Sequence, residues 1–210
     1  MEITKKELAK SLMDIQAVLL RPREPFTWAS GWHSPIYCDN RKILSFPDLR
    51  NRVCSSMAEI INKKYPDADV IAGVATGAIA HGVLVADRLG KPFVYVRPKP
   101  KDHGTGSVIE GLLEKGARVA VVEDLISTGK SSLAAVDSLR AAGAQVLGMT
   151  AIFTYGFKIA EESFLSSGVD LTVLSDYEAL LETAVAIGYV NESDLEILKQ
   201  WRHSPSTWGI

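Results

Sequence analysis

Cysteine is scarce: Cys38 and Cys54 are the only two in 210 residues. Two widely separated thiols fit neither a zinc-ligand pattern nor a disulfide framework, and reduced cysteines of this kind suit the cytoplasm. Long apolar runs are also missing. No stretch reaches the ~18 residues that a membrane span needs, and the N-terminal MEITKKELAKSLMDIQAVLL spreads its charges where a signal peptide would carry an apolar region. An excess of one charge is absent too. The formal net charge of −2 argues against a bulk electrostatic nucleic-acid binder, while small charged ligands stay open. There is no internal repeat and no low-complexity linker.

What is present is the composition of an ordinary globular chain, 47% apolar and 23% charged. The length suits one domain over 1–210, and a chain of this size buries roughly 70% of its unfolded surface without staples. Leu8, Leu12, Ile15 and Leu19 fall at helical spacing and predict an amphipathic helix over 4–20. Residues 24–44 follow no clear period and read as an ordered irregular segment with short strands. Pro47 suits the first turn of a helix running to about Lys64.

Beyond that the pattern alternates. Strands are predicted at 69–75, 92–96, 117–123, 145–153 and 169–174, and helices at 77–89, 130–142 and 157–167. The strands are continuous apolar runs, so they predict an α/β fold with a central, mostly parallel sheet between helix layers. Ser175 and Glu178 form a capping-box pattern that would open another helix, and 192–201 reads as a last short one.

The informative stretch is VVEDLISTGKSSL, 121–133. In an open parallel sheet, ligands sit beyond the carboxyl ends of strands. Backbone N–H groups from Ser127 to Lys130, at the start of the next helix, form an anion cradle, and Ser127, Thr128 and Ser131 add hydroxyls. Gly129 permits the turn. The GKS ending also occurs in P-loop nucleotidases, but their motif requires Gly at the position that Asp124 holds. Single Ser and Thr residues cap helices everywhere, so Ser127 or Thr128 alone would mean little. The loop together with Glu123 and Asp124 means more. Two carboxylates beside a phosphate cradle make sense for a ligand with two poles: a phosphate on the amides, and a sugar whose hydroxyls and oxocarbenium charge face the acids. A ribose 5-phosphate activated at C1 fits.

This stretch resembles the phosphoribosyl pyrophosphate signature of type I phosphoribosyltransferases. Within that class PFTWASGWHSPIYCDNR (25–41), YVRPKPKDHGTG (95–106) and IFTYG (152–156) make the chain similar to bacterial orotate phosphoribosyltransferases along nearly its whole length. The resemblance implies a type I phosphoribosyltransferase fold, with an N-terminal hood largely in 1–45, a core in roughly 46–175 and C-terminal helices in 176–210. It implies transfer of ribose 5-phosphate from 5-phosphoribosyl 1-pyrophosphate to orotate, with Mg²⁺ carried mainly by substrate rather than by a dedicated protein site. It also implies a cytoplasmic homodimer with shared active sites and no nucleic-acid or membrane partner. A phosphoribosyltransferase for another base, or a non-catalytic regulator sensing the same donor, stays open.

Carried over residue by residue, the resemblance gives the donor to Glu123, Asp124, Leu125, Ile126, Ser127, Thr128, Gly129, Lys130 and Ser131. The turn at Thr76 and Gly77 and the basic Arg97, Lys101 and His103 meet the pyrophosphate. Asp124, Lys101 and His103 are the catalytic candidates, and Ser127 also touches orotate. Tyr37 is a candidate for the wall of the base pocket and Arg41 for the orotate carboxylate, while Trp28 and Trp32 read as hood packing. Residues 97–107 are rich in Lys, Pro and Gly, and read as a lid. Some relatives carry Lys where this chain has Ala29 and Pro98, and Arg just after the strand where this chain has Tyr155. His33, His81 and His203 read as structural or surface residues.

Overall fold

The computed structural model describes residues 3–28, 30–99 and 107–209. Helix α1 (Lys5–Asp14) opens with a capping box between Thr4 and Glu7. The helix expected over 4–20 stops early, because Gln16 takes a left-handed φ of 57°. Leu19, which continues the helical period, lies instead on β1 (Val18–Leu20). Next come β2 (Phe26–Thr27), β3 (His33–Ser34) and β4 (Ile36–Cys38). Strand β1 pairs antiparallel with β4, and β2 with β3, so the irregular segment does hold short strands. A 3-10 helix, Asn40–Ser45, leads into α2 (Pro47–Lys64), which starts on Pro47 as expected.

The alternating part comprises β5 (Val70–Val74), α3 (Ala78–Leu89), β6 (Phe93–Val96), β7 (Ile109–Glu110), β8 (Arg118–Ile126), α4 (Lys130–Ala141), β9 (Gln145–Thr154), α5 (Lys158–Ser166), β10 (Leu171–Asp176), α6 (Tyr177–Ala186) and α7 (Glu192–His203). Six of these strands form one sheet in the order β10-β9-β8-β5-β6-β7. All neighbours are parallel except the β6–β7 pair. Strand β5 is buried at every position, which requires cover on both faces. One core gathers Leu8, Met57, Val85, Leu180 and Trp201 from α1, α2, α3, α6 and α7. The other gathers Val136, Leu139 and Phe164 from α4 and α5.

Three further details differ from the sequence expectation. Strand β8 runs on through Glu123 and Asp124 to Ile126 instead of ending at the acids. Strand β7, which the pattern does not predict, pairs antiparallel with β6. The cap of α6 is Asp176, whose carboxylate accepts from the Ala179 N–H at 2.9 Å, rather than the expected Ser175. Ser175 is still paired within the sheet, opposite Phe153, and its hydroxyl donates to the Lys5 carbonyl at 2.8 Å. The longer strand moves the helix start by one residue.

Candidate active site

Strands β5 and β8 are neighbours, yet the chain leaves them in opposite directions: β5 leads through α3 to β6, and β8 through α4 to β9. That divergence opens a crevice beyond their carboxyl ends, the place where open α/β sheets bind ligands. The loop 127–129 and the turn at Thr76 and Gly77 both border this crevice.

The loop 127–129 turns directly into α4. Gly129 caps α4 with a φ of 79°, and a Cβ there would press within 3.0 Å of the Phe164 ring. Two constraints therefore select glycine, one of backbone and one of space. Among the described residues no acceptor meets the N–H groups of Ser127, Thr128 and Gly129. These donors and the positive end of the α4 dipole are available to an anion. The base of the loop is pinned from β9: the Tyr155 N–H and the Thr154 hydroxyl donate to the Ile126 carbonyl at 3.1 and 3.3 Å. Ser127 and Thr128 are half-buried, whereas Lys130 and Ser131 are exposed. Ile126 is fully buried, so its side chain serves the core and only its backbone borders the loop.

The two acids have different surroundings, because successive strand residues face opposite sides of a sheet. Glu123 turns inward beneath α4 and is 4% exposed. Its Oε2 accepts from the Ser132 hydroxyl at 2.7 Å and its Oε1 from the Asp124 N–H at 2.9 Å. Burial, and after it the charge of Asp124, push the Glu123 carboxyl well above its ordinary 4.5, against those two hydrogen bonds. Asp124 faces α3 instead. A Cβ on Gly77 would run into its carboxylate, so glycine there lets the acid lie against the turn. The peptide between Ala75 and Thr76 is cis, and Thr76 is exposed. Of the two acids, Asp124 thus lies against the Thr76–Gly77 turn, while Glu123 is held inside by two donors.

The N-terminal segment reaches this acid through a residue that the sequence reading missed. Asn40 is 1% exposed, and its side-chain N–H₂ donates to the Asp124 carbonyl at 2.6 Å. Burial, and then the charges of Asp124 and Asp39, push the adjacent Cys38 thiol well up, so it stays protonated. His81 of α3, fully buried, lies close enough to feel the charge of Asp124; burial pulls its pKa below the usual 6.5. Among the base-side candidates, Tyr37 is 38% exposed and packs near Phe26. Arg41 is gripped by Asp39, Nε to Oδ1 at 2.6 Å and NH2 to Oδ2 at 2.9 Å.

Trp28 stacks near Trp32 and meets Tyr155 and Trp201, so its ring is packed among aromatics. Tyr155 is buried in that aromatic cluster, and the cation at the end of β9 comes from α7: Arg202 Nε donates to the Gly156 carbonyl at 3.2 Å. On the other side, Arg97 begins the stretch between β6 and β7 and approaches Glu110 at 3.5 Å. Lys101 and His103 lie outside the described residues. Asn40 showed in the sequence only as a polar residue in the CDNR run, because its partner Asp124 is 84 residues away; Asp39, which grips the neighbouring Arg41, lies in the same run.

Among the described residues no three His, Cys, Asp or Glu side chains gather as a metal-ligand set, and no helix is long and apolar enough to cross a membrane.

The phosphoribosyl transferase domain family model matches residues 42–180. The chain is 51% identical to orotate phosphoribosyltransferase of Porphyromonas gingivalis, over 98% of both chains. It is 50% identical to the same enzyme of Bacillus subtilis, over 98% of this chain and 95% of the relative. Among solved structures, orotate phosphoribosyltransferase from Aeropyrum pernix superimposes with a TM-score of 0.76 at 33% identity, covering 88% of this chain and 99% of that one. UMP synthase of Leishmania donovani gives the same TM-score at 27% identity, covering 94% of this chain and 42% of that one. With the type I sheet in place and relatives at half identity from end to end, the chain belongs to the orotate phosphoribosyltransferase family.

Proposed function

We propose that this chain transfers ribose 5-phosphate from 5-phosphoribosyl 1-pyrophosphate to N1 of orotate, yielding orotidine 5′-monophosphate and pyrophosphate. The observation that carries the reading is Asp124, held against Gly77 at the switch point beside the open amides of 127–129. The loop grips the 5′-phosphate, which places the ribose over Asp124. The bond from C1 to the pyrophosphate oxygen breaks with its electron pair leaving on pyrophosphate, and N1 of orotate closes on the opposite face with inversion. Asp124 stabilises the positive charge that develops at C1 and the ring oxygen. Orotate arrives as an anion, so a strong general base is not needed. Arg97 with Lys101 and His103 offsets charge on the departing pyrophosphate, and Tyr37 and Arg41 border the base.

Magnesium fits this chemistry. A hard cation takes oxygen ligands and keeps several waters, so substrate oxygens supply most of its shell and Asp124 is the carboxylate at hand. When bound, Mg²⁺ neutralises the leaving pyrophosphate. The proposal extends to a homodimer in which the 97–107 lid serves the partner's site. It also includes a cytoplasmic location, supported by the two free cysteines. Orotate absorbance tests the reaction. Signal should fall only when donor, orotate and Mg²⁺ are all present, and a signal that stays flat with all three would refute the assignment.

A further inference from the structure

The ladder between β5 and β8 ends at the Gly73–Val122 pair. Asp124 lies past that end, and two side chains take its backbone groups: Glu123 accepts from its N–H, and Asn40 donates to its C=O. A carbonyl partly withdrawn from solvent and past the end of its ladder gains from a donor, and Asn40 provides it across 84 residues of sequence at 2.6 Å. Asn40 sits in the first turn of the 3-10 helix, between Asp39, which grips Arg41, and the remainder of that turn.

From this we infer that Asn40 is a positioning residue for Asp124. It fixes the backbone of the acid relative to the hood, and so registers the ribose carboxylate against the base that the hood covers. The inference rests on the orotate reading above and adds to it a residue that touches neither substrate. The physical reason for an effect on rate is geometric. Asp124 must match a charge that exists only in the transition state, and misplacement by about 1 Å can cost 10²-fold in turnover. The phosphate loop, anchored independently by β9 through Ile126, should hold the donor as before.

The test uses the full-length chain with Asn40→Asp, which keeps the acceptor and removes the donor, and Asn40→Ser, which is too short to reach. Donor affinity is read by calorimetry, kcat and KM from orotate consumption, and folding from thermal melting. The expected result is a folded protein with donor affinity within about threefold of the parent and kcat lower by roughly 10²-fold. A folded variant with unchanged kcat would overturn the inference. So would loss of affinity and turnover in equal measure, or failure of both variants to fold, since either would mark Asn40 as merely structural. A parent chain inert toward orotate would overturn the functional reading itself, whereas an active parent with an equally active Asn40→Asp overturns this inference alone.

Discussion

At the scale of single residues, the acidic pair divides into two jobs. Asp124 is the outward carboxylate, and removing its charge while keeping its shape isolates its electrostatic part. Asp124→Asn should lower kcat by about 10²-fold or more, the scale for losing one well-aimed electrostatic contact. Donor affinity measured by calorimetry should change far less; unchanged turnover would remove Asp124 from the mechanism. Glu123 is the inward one, with a folded-state pKa raised above 4.5 by burial. Folding therefore binds a proton more tightly, so its stabilising contribution is complete below 4.5 and is lost as pH rises through the folded-state value. Denaturant unfolding across pH should show stability falling as pH rises above 4.5, and Glu123→Gln should flatten that fall. Parallel curves for parent and variant would contradict the assignment. The two acids differ in exposure: Glu123 is buried under two donors, while Asp124 lies against the Thr76–Gly77 turn.

At the scale of elements, the entry to α4 is set by Gly129. A side chain at φ 79° that also meets Phe164 at 3.0 Å should cost about 1–2 kcal/mol from the left-handed backbone alone. Gly129→Ala should lower the unfolding midpoint accordingly and weaken donor binding, read by denaturant titration and calorimetry. Unaltered stability would mean that the loop relaxes freely. The alternating strands and helices were legible because apolar runs such as VIAGV in β5 have no other place than a covered sheet. The turn into α4 was legible because Gly129 is a local signal. What was not legible depended on distant partners. Leu19 fits a helical period equally well until β4 arrives to pair with it. Ser175 looks like a cap until β9 keeps it in the sheet. Asn40 is one polar residue among several until the fold sets it under Asp124.

At the scale of the whole molecule, β5 and β8 border the crevice, the N-terminal segment reaches it through Asn40, and Arg97 begins the stretch proposed as a lid. A lid that serves the partner's site makes a counting prediction. Lys101→Ala and Asp124→Ala should each be inactive alone. After random subunit exchange about half the dimers are hybrids, and one site in each is intact, so roughly a quarter of parent activity should return. Exchange is verified with mass-tagged chains, and flat activity after proven exchange would place the lid on its own subunit. The most direct measurement is a competition for the base. The chain is given donor and Mg²⁺ with an equimolar mixture of orotate, uracil, hypoxanthine and adenine, and the nucleotide products are separated and identified. Orotidine 5′-monophosphate should be the one nucleotide formed, with pyrophosphate in equal amount; a nucleotide of another base, or donor bound with no product at all, would contradict orotate phosphoribosyl transfer.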